Sequence, residues 1–215
     1  LVKESLNKNF SVLGTFRNKL KSKELYDIKS NSLNIFEMDV INEASILNVS
    51  NNLTKPLDYL ICNAGINNGF GNLFDLDHSH TSMLNVLNVN ILGCVLTIKY
   101  LKKNLNSNAK IVLISSTLGI QQHIGSNATI YRASKAALNQ IIKTSSIEQK
   151  RLNKNMIMVA VHPGTVNTKL SSPFIGKKKV QTPIESANKI INLLDNLTSK
   201  DSGLFFDYNN NIIPF

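Results

Sequence analysis

Short apolar runs alternate with amphipathic stretches along the chain, and this alternation predicts strands and helices in turn. Residues 57–62 and 110–114 are nearly continuous apolar runs, as expected for parallel strands that are covered on both faces. Residues 81–104 carry apolar side chains at helical spacing and predict one long helix. Further strands are predicted at 10–16, 34–38, 156–161 and 203–207. Further helices are predicted at 1–9 (the end of a helix), 44–51, 128–152 and 183–197.

This order of elements predicts an α/β fold in which a doubly wound parallel sheet has helices on both faces. The 215 residues suit one domain, and we find no internal repeat, low-complexity tract or domain boundary. With 42% hydrophobic and 18% charged residues, the composition excludes a wholly disordered chain.

The net charge of +10 comes from 24 Lys and Arg against 14 Asp and Glu. Only Arg17, Arg132 and Arg151 are arginines, and the lysines are scattered, so the charge does not predict nucleic-acid binding. No apolar run reaches the ~18–20 residues of a membrane span, and the start does not read as a signal peptide. Cys62 and Cys94 are too few for a disulfide framework, so a reducing, cytoplasmic location is the default expectation.

Two turns with small residues follow apolar strands directly, at 63–65 (Asn-Ala-Gly) and at Pro163-Gly164. Ligands of open α/β sheets bind outside the carboxyl ends of the strands, where small residues allow a close approach to the backbone. The alternative is that both are ordinary turns.

The segment Tyr131-Arg132-Ala133-Ser134-Lys135 places a phenol and an amine four residues apart on a predicted helix. A neighbouring ammonium favours phenolate, so we expect Lys135 to lower the pKa of Tyr131, which makes the phenol a better proton donor or acceptor. The alternative is an ordinary surface pair.

Two further polar positions accompany this pair. Ser116 lies at the end of the strand 110–114, where its hydroxyl faces the same crevice, although a capping serine is the alternative. Asn90 interrupts the long apolar helix, and a buried Asn needs a definite hydrogen-bond partner. The chain is rich in Asn, so chance is the alternative for Asn90.

With these features in this order, the chain resembles the short-chain dehydrogenase/reductase family, and in particular its C-factor-like branch. The resemblance covers nearly the whole chain. It is carried by Leu60-Ile61-Cys62-Asn63-Ala64-Gly65, Asn88-Val89-Asn90-Ile91-Leu92-Gly93, Ile114-Ser115-Ser116-Thr117-Leu118-Gly119, Tyr131-Arg132-Ala133-Ser134-Lys135-Ala136-Ala137-Leu138, His162-Pro163-Gly164-Thr165-Val166-Asn167-Thr168 and Gly203-Leu204-Phe205-Phe206-Asp207-Tyr208.

The resemblance implies a Rossmann-like oxidoreductase that transfers a hydride between a nicotinamide cofactor and a small carbonyl or alcohol substrate. It assigns Tyr131 as general acid/base and Ser116 as the group that positions the substrate oxygen. Lys135 would lower the pKa of Tyr131 and bind the nicotinamide ribose, while Asn90 would hold a water linking Lys135 to solvent. The implied cofactor-binding residues are Arg17, Asp39, Val40, Asn63, Ala64, Gly65, Tyr131, Lys135, Pro163, Gly164, Val166 and Thr168.

The residue that reads the cofactor ribose lies at the end of the strand 10–16 in this family. An acid there binds the 2′-hydroxyl of NAD, whereas an Arg accommodates the 2′-phosphate of NADP. The sequence Thr15-Phe16-Arg17-Asn18 has no acid, so NADP(H) is favoured over NAD(H). A solvated surface Arg is the alternative.

Members of the family begin with a strand and a Gly-rich phosphate loop, and neither is found in this sequence. Because that strand would lie between the strands 10–16 and 57–62, its absence predicts two unpaired sheet edges. We therefore expect the sequence, which begins with Leu1, to be a fragment of a longer gene product.

Several weaker signals have simpler interpretations. His78 and His80 are expected to be solvated, Cys62 and Cys94 to be packed thiols, and Lys177–Lys179 to be a solvated run within a substrate lid. Family analogy predicts a homodimer or homotetramer that pairs through the helices 81–104 and 128–152. A catalytically inactive or signalling protein on the same fold is the competing hypothesis.

Overall fold

The computed structural model describes residues 1–67, 73–75, 79–122, 125–152, 155–175 and 180–215. His78 and Lys177–Lys179, discussed above, lie outside the described residues. The strands are β1 Val12–Phe16, β2 Leu33–Glu37, β3 Leu57–Cys62, β4 Leu105–Ile114, β5 Ile157–His162, β6 Phe205–Asp207 and β7 Ile212–Ile213. The helices are α1 Val2–Asn7, α2 Lys23–Tyr26, α3 Glu43–Asn52, α4 His80–Leu87, α5 Gly93–Leu101, α6 Thr129–Arg151, α7 Ser172–Ile175 and α8 Pro183–Asn196.

The strands form two sheets. β1 and β2 pair in parallel, while β3, β4, β5 and β6 form a parallel sheet to which β7 adds an antiparallel edge. Within the described part of the chain, β1 pairs only with β2 and β3 only with β4. The predicted fold class is confirmed.

Both faces of the larger sheet are covered, as the two-residue period of a strand requires. Ile111 and Leu113 point into a core shared with α3, α5 and α6, whereas Val112 between them points into a second core shared with α8. Helix α8 begins as the sequence predicted, with Pro183 in its first turn, and Thr182 caps it. The layers therefore hold the carboxyl ends of the strands in fixed positions.

The helix predicted at 81–104 is not continuous. A π-helical turn, Asn88–Leu92, separates α4 from α5, and the 3₁₀ turn Lys102–Asn104 follows α5. By length and composition the run His80–Asn104 matches a membrane-spanning helix, which the apolar runs alone had not indicated. Its inner side packs on the sheet through Cys94 and Leu101, as in the core helix of a globular protein.

Candidate active site

The predicted site residues gather at one edge of the larger sheet. β3, β4 and β5 are parallel, so the residues that follow them, Asn63, Ser116 and Pro163, emerge on the same side. Helix α6 lies beside this edge and presents Tyr131 and Lys135, both of which are buried. The structure thus brings together four side chains from three separate parts of the chain, those of Asn90, Ser116, Tyr131 and Lys135.

The hydroxyl of Ser116 interacts with the phenol of Tyr131 and acts to lower its pKa. Ser116 has an extended backbone and caps the 3₁₀ turn Thr117–Gly119, because its Oγ accepts a hydrogen bond from Leu118 N at 3.2 Å. This capping is the alternative considered for Ser116, and it occurs together with the contact to Tyr131. The strand-end hydroxyl and the helix phenol therefore share one pocket.

Lys135 is buried below the phenol. Its Nζ lies 5.5 Å from the ring centroid of Tyr131 and donates a hydrogen bond of 2.7 Å to the carbonyl oxygen of Ile114. Burial lowers the pKa of Lys135 to about 8, and Cys94 acts in the opposite direction. An ammonium that loses its proton this readily is poised for proton transfer near neutral pH.

The expectation that Lys135 lowers the pKa of Tyr131 is wrong for this structure. Burial raises the pKa of Tyr131 to about 12, and only the hydrogen bond with Ser116 acts against that increase. The physical reason is that desolvation of a phenolate outweighs the available hydrogen bond, while the Nζ of Lys135 is directed to Ile114. At neutral pH the phenol is protonated.

Asn90 lies in the middle of the π-helical turn and is fully buried. Its Oδ1 accepts a hydrogen bond from Ile66 N at 2.8 Å, and its Nδ2 donates to Ile66 O and to Ser134 Oγ, each at 2.9 Å. The definite hydrogen-bond task expected of a buried Asn is confirmed. Asn90 joins three parts of the site: the loop after β3, the π turn and helix α6.

Gly65 brings the backbone of that loop close to the catalytic side chains. A Cβ at this position would lie 3.5 Å from Asn90 Oδ1 and 3.6 Å from Lys135 Nζ. The absence of a side chain therefore leaves the space above Lys135 open, as the close-approach interpretation of this turn requires.

The turn after β5 is held by Gln181, a residue that the sequence analysis did not identify. Gly164 has a φ of +78°, and a Cβ there would lie 2.0 Å from Gln181 Nε2. Gln181 Nε2 donates to Pro163 O at 3.2 Å, and Gln181 N donates to Thr165 O at 2.9 Å. At this φ only glycine fits without strain, so Gly164 is required by the shape of the turn.

Val166 and Thr168 lie in the same loop and contact Ser171. The Ser171 hydroxyl donates to Val166 O, accepts from Thr168 N at 3.2 Å and lies 3.1 Å from Thr168 Oγ1. A cofactor that used the Val166 and Thr168 groups would replace these contacts with its own.

The other predicted cofactor residues lie farther out along the strand ends. Arg17 follows β1 and is exposed, and Asn63 and Ala64 after β3 are exposed as well. Asp39 and Val40 follow β2 and are half-buried. Asp39 Oδ1 accepts from Ile41 N at 3.1 Å, while Val40 packs against Gly93, where a Cβ would lie 2.7 Å from Val40 Cγ2.

These residues fit the two ends of a nicotinamide dinucleotide. The open space at Gly65 and the Gly164 turn suit its nicotinamide ribose, and the exposed cation Arg17 suits a 2′-phosphate. The sequence as given contains no Gly-rich loop before α1 to bind the pyrophosphate.

The structure bears on two of the weaker signals. Cys62 and Cys94 are buried thiols in mutual contact, as expected of packed cysteines. His80 is exposed, and the described residues, which do not include His78, hold no group of three or more His, Cys, Asp or Glu side chains that could bind a metal.

The comparisons with known proteins agree with this geometry. A family model described as short chain dehydrogenase matches residues 1–178. An uncharacterized oxidoreductase of Saccharomyces cerevisiae is 28% identical over 87% of this chain and 80% of its own length. The C-signal protein of Myxococcus xanthus is 28% identical over 77% of this chain and 97% of its own length.

Among solved structures, the NADPH-bound carbonyl reductase from chicken fatty liver is similar, with a TM-score of 0.83 and 27% identity. The match covers 95% of this chain and 87% of that one. With the family model spanning most of the chain and the site assembled at the strand ends, the chain belongs to the short-chain dehydrogenase/reductase family, whose members are oxidoreductases.

Proposed function

We propose that this protein is an NADP(H)-dependent carbonyl reductase in which Tyr131 transfers the proton. The observation that carries the proposal is that the Ser116 hydroxyl and the Tyr131 phenol interact in one pocket, beside the buried ammonium of Lys135. A carbonyl oxygen placed between the two hydroxyls is polarised by both. The cofactor, when bound, supplies the hydride to the carbonyl carbon.

Tyr131 donates its phenolic proton to the substrate oxygen as negative charge develops there. The raised pKa of Tyr131, about 12 because of burial, keeps the phenol protonated at pH 7 and so ready to act as an acid. Oxidation of an alcohol needs the phenolate instead. The chemistry of this site therefore favours carbonyl reduction near neutral pH.

Lys135 lies beside the phenol, with its Nζ 5.5 Å from the ring centroid, and would bind the nicotinamide ribose. With a pKa of about 8, lowered by burial, most of the lysine is charged at pH 7. Asn90 holds the loop at Ile66 and the Ser134 turn of α6 in place around this ammonium. The water that the family resemblance assigns to Asn90 would extend the proton path from Lys135 to solvent.

The preference for NADP(H) rests on charge at the end of β1. Arg17 is exposed there, and no acidic side chain lies between Thr15 and Asn18 to bind a free 2′-hydroxyl. The chicken relative is a carbonyl reductase with bound NADPH. Both observations support NADP(H) over NAD(H).

Replacing Tyr131 by Phe tests the proposal directly. The protein is assayed for NADPH oxidation with a panel of aldehydes, ketones and quinones. We expect Tyr131→Phe to lower kcat at least about 100-fold, because general acid catalysis contributes about 10²–10⁴. Tyr100→Phe is the matched control, since the Tyr100 hydroxyl contacts Glu43 outside the site. Activity that survives Tyr131→Phe would refute the mechanism.

A signalling role on the same fold is the second candidate. It is favoured by the similarity to the C-signal protein of Myxococcus xanthus. The buried ammonium of Lys135 beside the phenol of Tyr131 argues against it, because a binding scaffold does not need a buried charge that is costly to desolvate. A folded protein that binds NADPH and reduces no member of the panel would favour this second candidate.

Self-association through the long helices remains part of the proposal. Leu84, Leu92 and Val95 on the α4–α5 run and Ile147 on α6 are exposed apolar side chains. A homodimer or homotetramer would cover them. Light scattering on the purified protein measures its mass, and a monomer at micromolar concentration would contradict this expectation.

A further inference from the structure

The end of β4 is tied to helix α6 at three consecutive residues. Ile114 accepts a hydrogen bond from Lys135, and the Ser116 hydroxyl interacts with the phenol of Tyr131. Between them, Ser115 Oγ donates to Asn139 Oδ1 at 2.6 Å. The three helix residues are spaced four apart, so they lie on one face of α6 in successive turns.

The Ser115–Asn139 pair is deeply buried. Ser115 is 2% exposed and Asn139 is 3% exposed. Ser115 N donates to Val161 O at 2.8 Å, and Ser115 Oγ also lies 3.3 Å from the carbonyl oxygen of Lys135. Ser115 thus contacts strand β5 through its backbone N–H and helix α6 through its hydroxyl, immediately before the proposed catalytic Ser116.

The buried amide of Asn139 lowers the stability of the fold, which indicates that it is retained for another role. The Nδ2 of Asn139 has no hydrogen-bond partner within the part of the chain that the structure describes. A buried, partly satisfied amide is destabilising compared with an apolar side chain, and Leu138 and Ile142 beside it are apolar. A residue chosen for stability alone at this position would be apolar as well.

We propose that Asn139 is a positioning residue for the reaction, whose side chain holds Ser115 and thereby sets the distance between Ser116 on β4 and Tyr131 on α6. The inference rests on the proposed function. The two reacting hydroxyls belong to different elements, so their separation depends on the register between strand and helix. Misplacement of reacting groups by about 1 Å can lower a rate about 100-fold.

A double-mutant cycle tests the proposal, with kcat and KM measured for NADPH-dependent carbonyl reduction. We expect Asn139→Leu to lower kcat about ten-fold while the KM for NADPH stays within about two-fold, because the change displaces Ser116 and spares the cofactor site. Ser115→Ala is expected to have a similar effect. The double variant should be no slower than either single variant, because both remove one interaction.

Gln140→Leu is the matched control, since Gln140 is an exposed amide on the next position of α6. It should leave kcat unchanged. Asn139→Asp keeps an acceptor oxygen for Ser115 and should recover most of the lost kcat, and it serves as the second variant if Asn139→Leu fails to fold. A merely structural role would not produce this rescue.

Two results overturn the inference. One is an unchanged kcat in Asn139→Leu. The other is a double variant whose loss of kcat equals the product of the losses in the two single variants. Wild-type protein and Tyr131→Phe are measured beside them. If the wild type reduces no carbonyl, the proposed function itself is refuted. If the wild type is active and Asn139→Leu matches it, only the role of Asn139 is refuted.

Discussion

The two sheets of this protein differ in how firmly they are held. In the larger sheet, β5 is buried along almost its whole length, and Val112, Val159 and Phe205 are fully buried between helical layers. In the smaller sheet, only Gly14 and Phe16 of β1 are buried, and no residue of β2 is. The proposed catalytic side chains belong to the first region, whereas the proposed 2′-phosphate contact belongs to the second.

The two regions serve two different parts of the proposed reaction, which are proton transfer and recognition of the cofactor phosphate. Proton transfer needs hydroxyls held to within fractions of an ångström, and the buried contacts of β4 with α6 provide this. Recognition of a phosphate needs an accessible cation, and Arg17, which is exposed at a strand end, is the proposed one. Burial of Arg17 would weaken phosphate recognition, and exposure of the hydroxyls would weaken proton transfer.

Replacing one aromatic residue in each sheet should give the largest difference in the free energy of unfolding. Phe205→Ala removes a fully buried side chain, and we expect it to lower the free energy of unfolding by about 3–5 kcal/mol. Phe36→Ala in β2 removes a half-buried ring and should cost about half as much. Urea denaturation measures both, and equal losses would show that the two sheets are equally well packed.

The buried ammonium of Lys135 should make stability depend on pH. Burial lowers its pKa to about 8 from 10.5 in the unfolded chain, so between these values the unfolded state binds more protons. The free energy of unfolding therefore rises with pH, by about 3 kcal/mol across that window. Tyr131, whose pKa burial raises to about 12, opposes this above pH 10.

The Lys135→Met variant isolates this contribution, because Tyr131 is present in both proteins. Subtracting its unfolding free energy from that of the wild type should leave a difference that increases between pH 8 and 10.5. Lys143→Met, which replaces an exposed lysine on the same helix, is the control. A flat difference curve for Lys135→Met would mean that Lys135 is hydrated in the folded protein.

The smallest expected effect concerns cofactor choice at the exposed sheet. Arg17→Ala should weaken NADPH binding about ten-fold, because one charge-assisted hydrogen bond to the 2′-phosphate is lost. NADH binding and kcat at saturating NADPH should not change. Arg151→Ala, an exposed arginine at the end of α6, is the control, and fluorescence titration with both nucleotides is the measurement. If Arg17→Ala weakens the binding of NADPH and NADH equally, Arg17 does not bind the 2′-phosphate.

Local patterns were sufficient to place several site residues. The spacing of Tyr131 and Lys135 put both on one side of a helix, and Ser116 followed a strand whose apolar run was unmistakable. Asn139 continues the same four-residue spacing. That spacing was the available signal for Asn139, but only the contact with Ser115 distinguishes it from the many other Asn residues of the chain.

What the sequence by itself determined is the order of strands and helices and the side of each element on which the reactive groups lie, because both follow from short-range periodicity. Tertiary structure alone decided the π-helical turn at Asn90, the Gln181 contacts beside Gly164 and the upward shift of the Tyr131 pKa. These depend on which groups from distant segments surround a side chain and on how much water they exclude. Neither quantity is a property of neighbouring residues in the sequence.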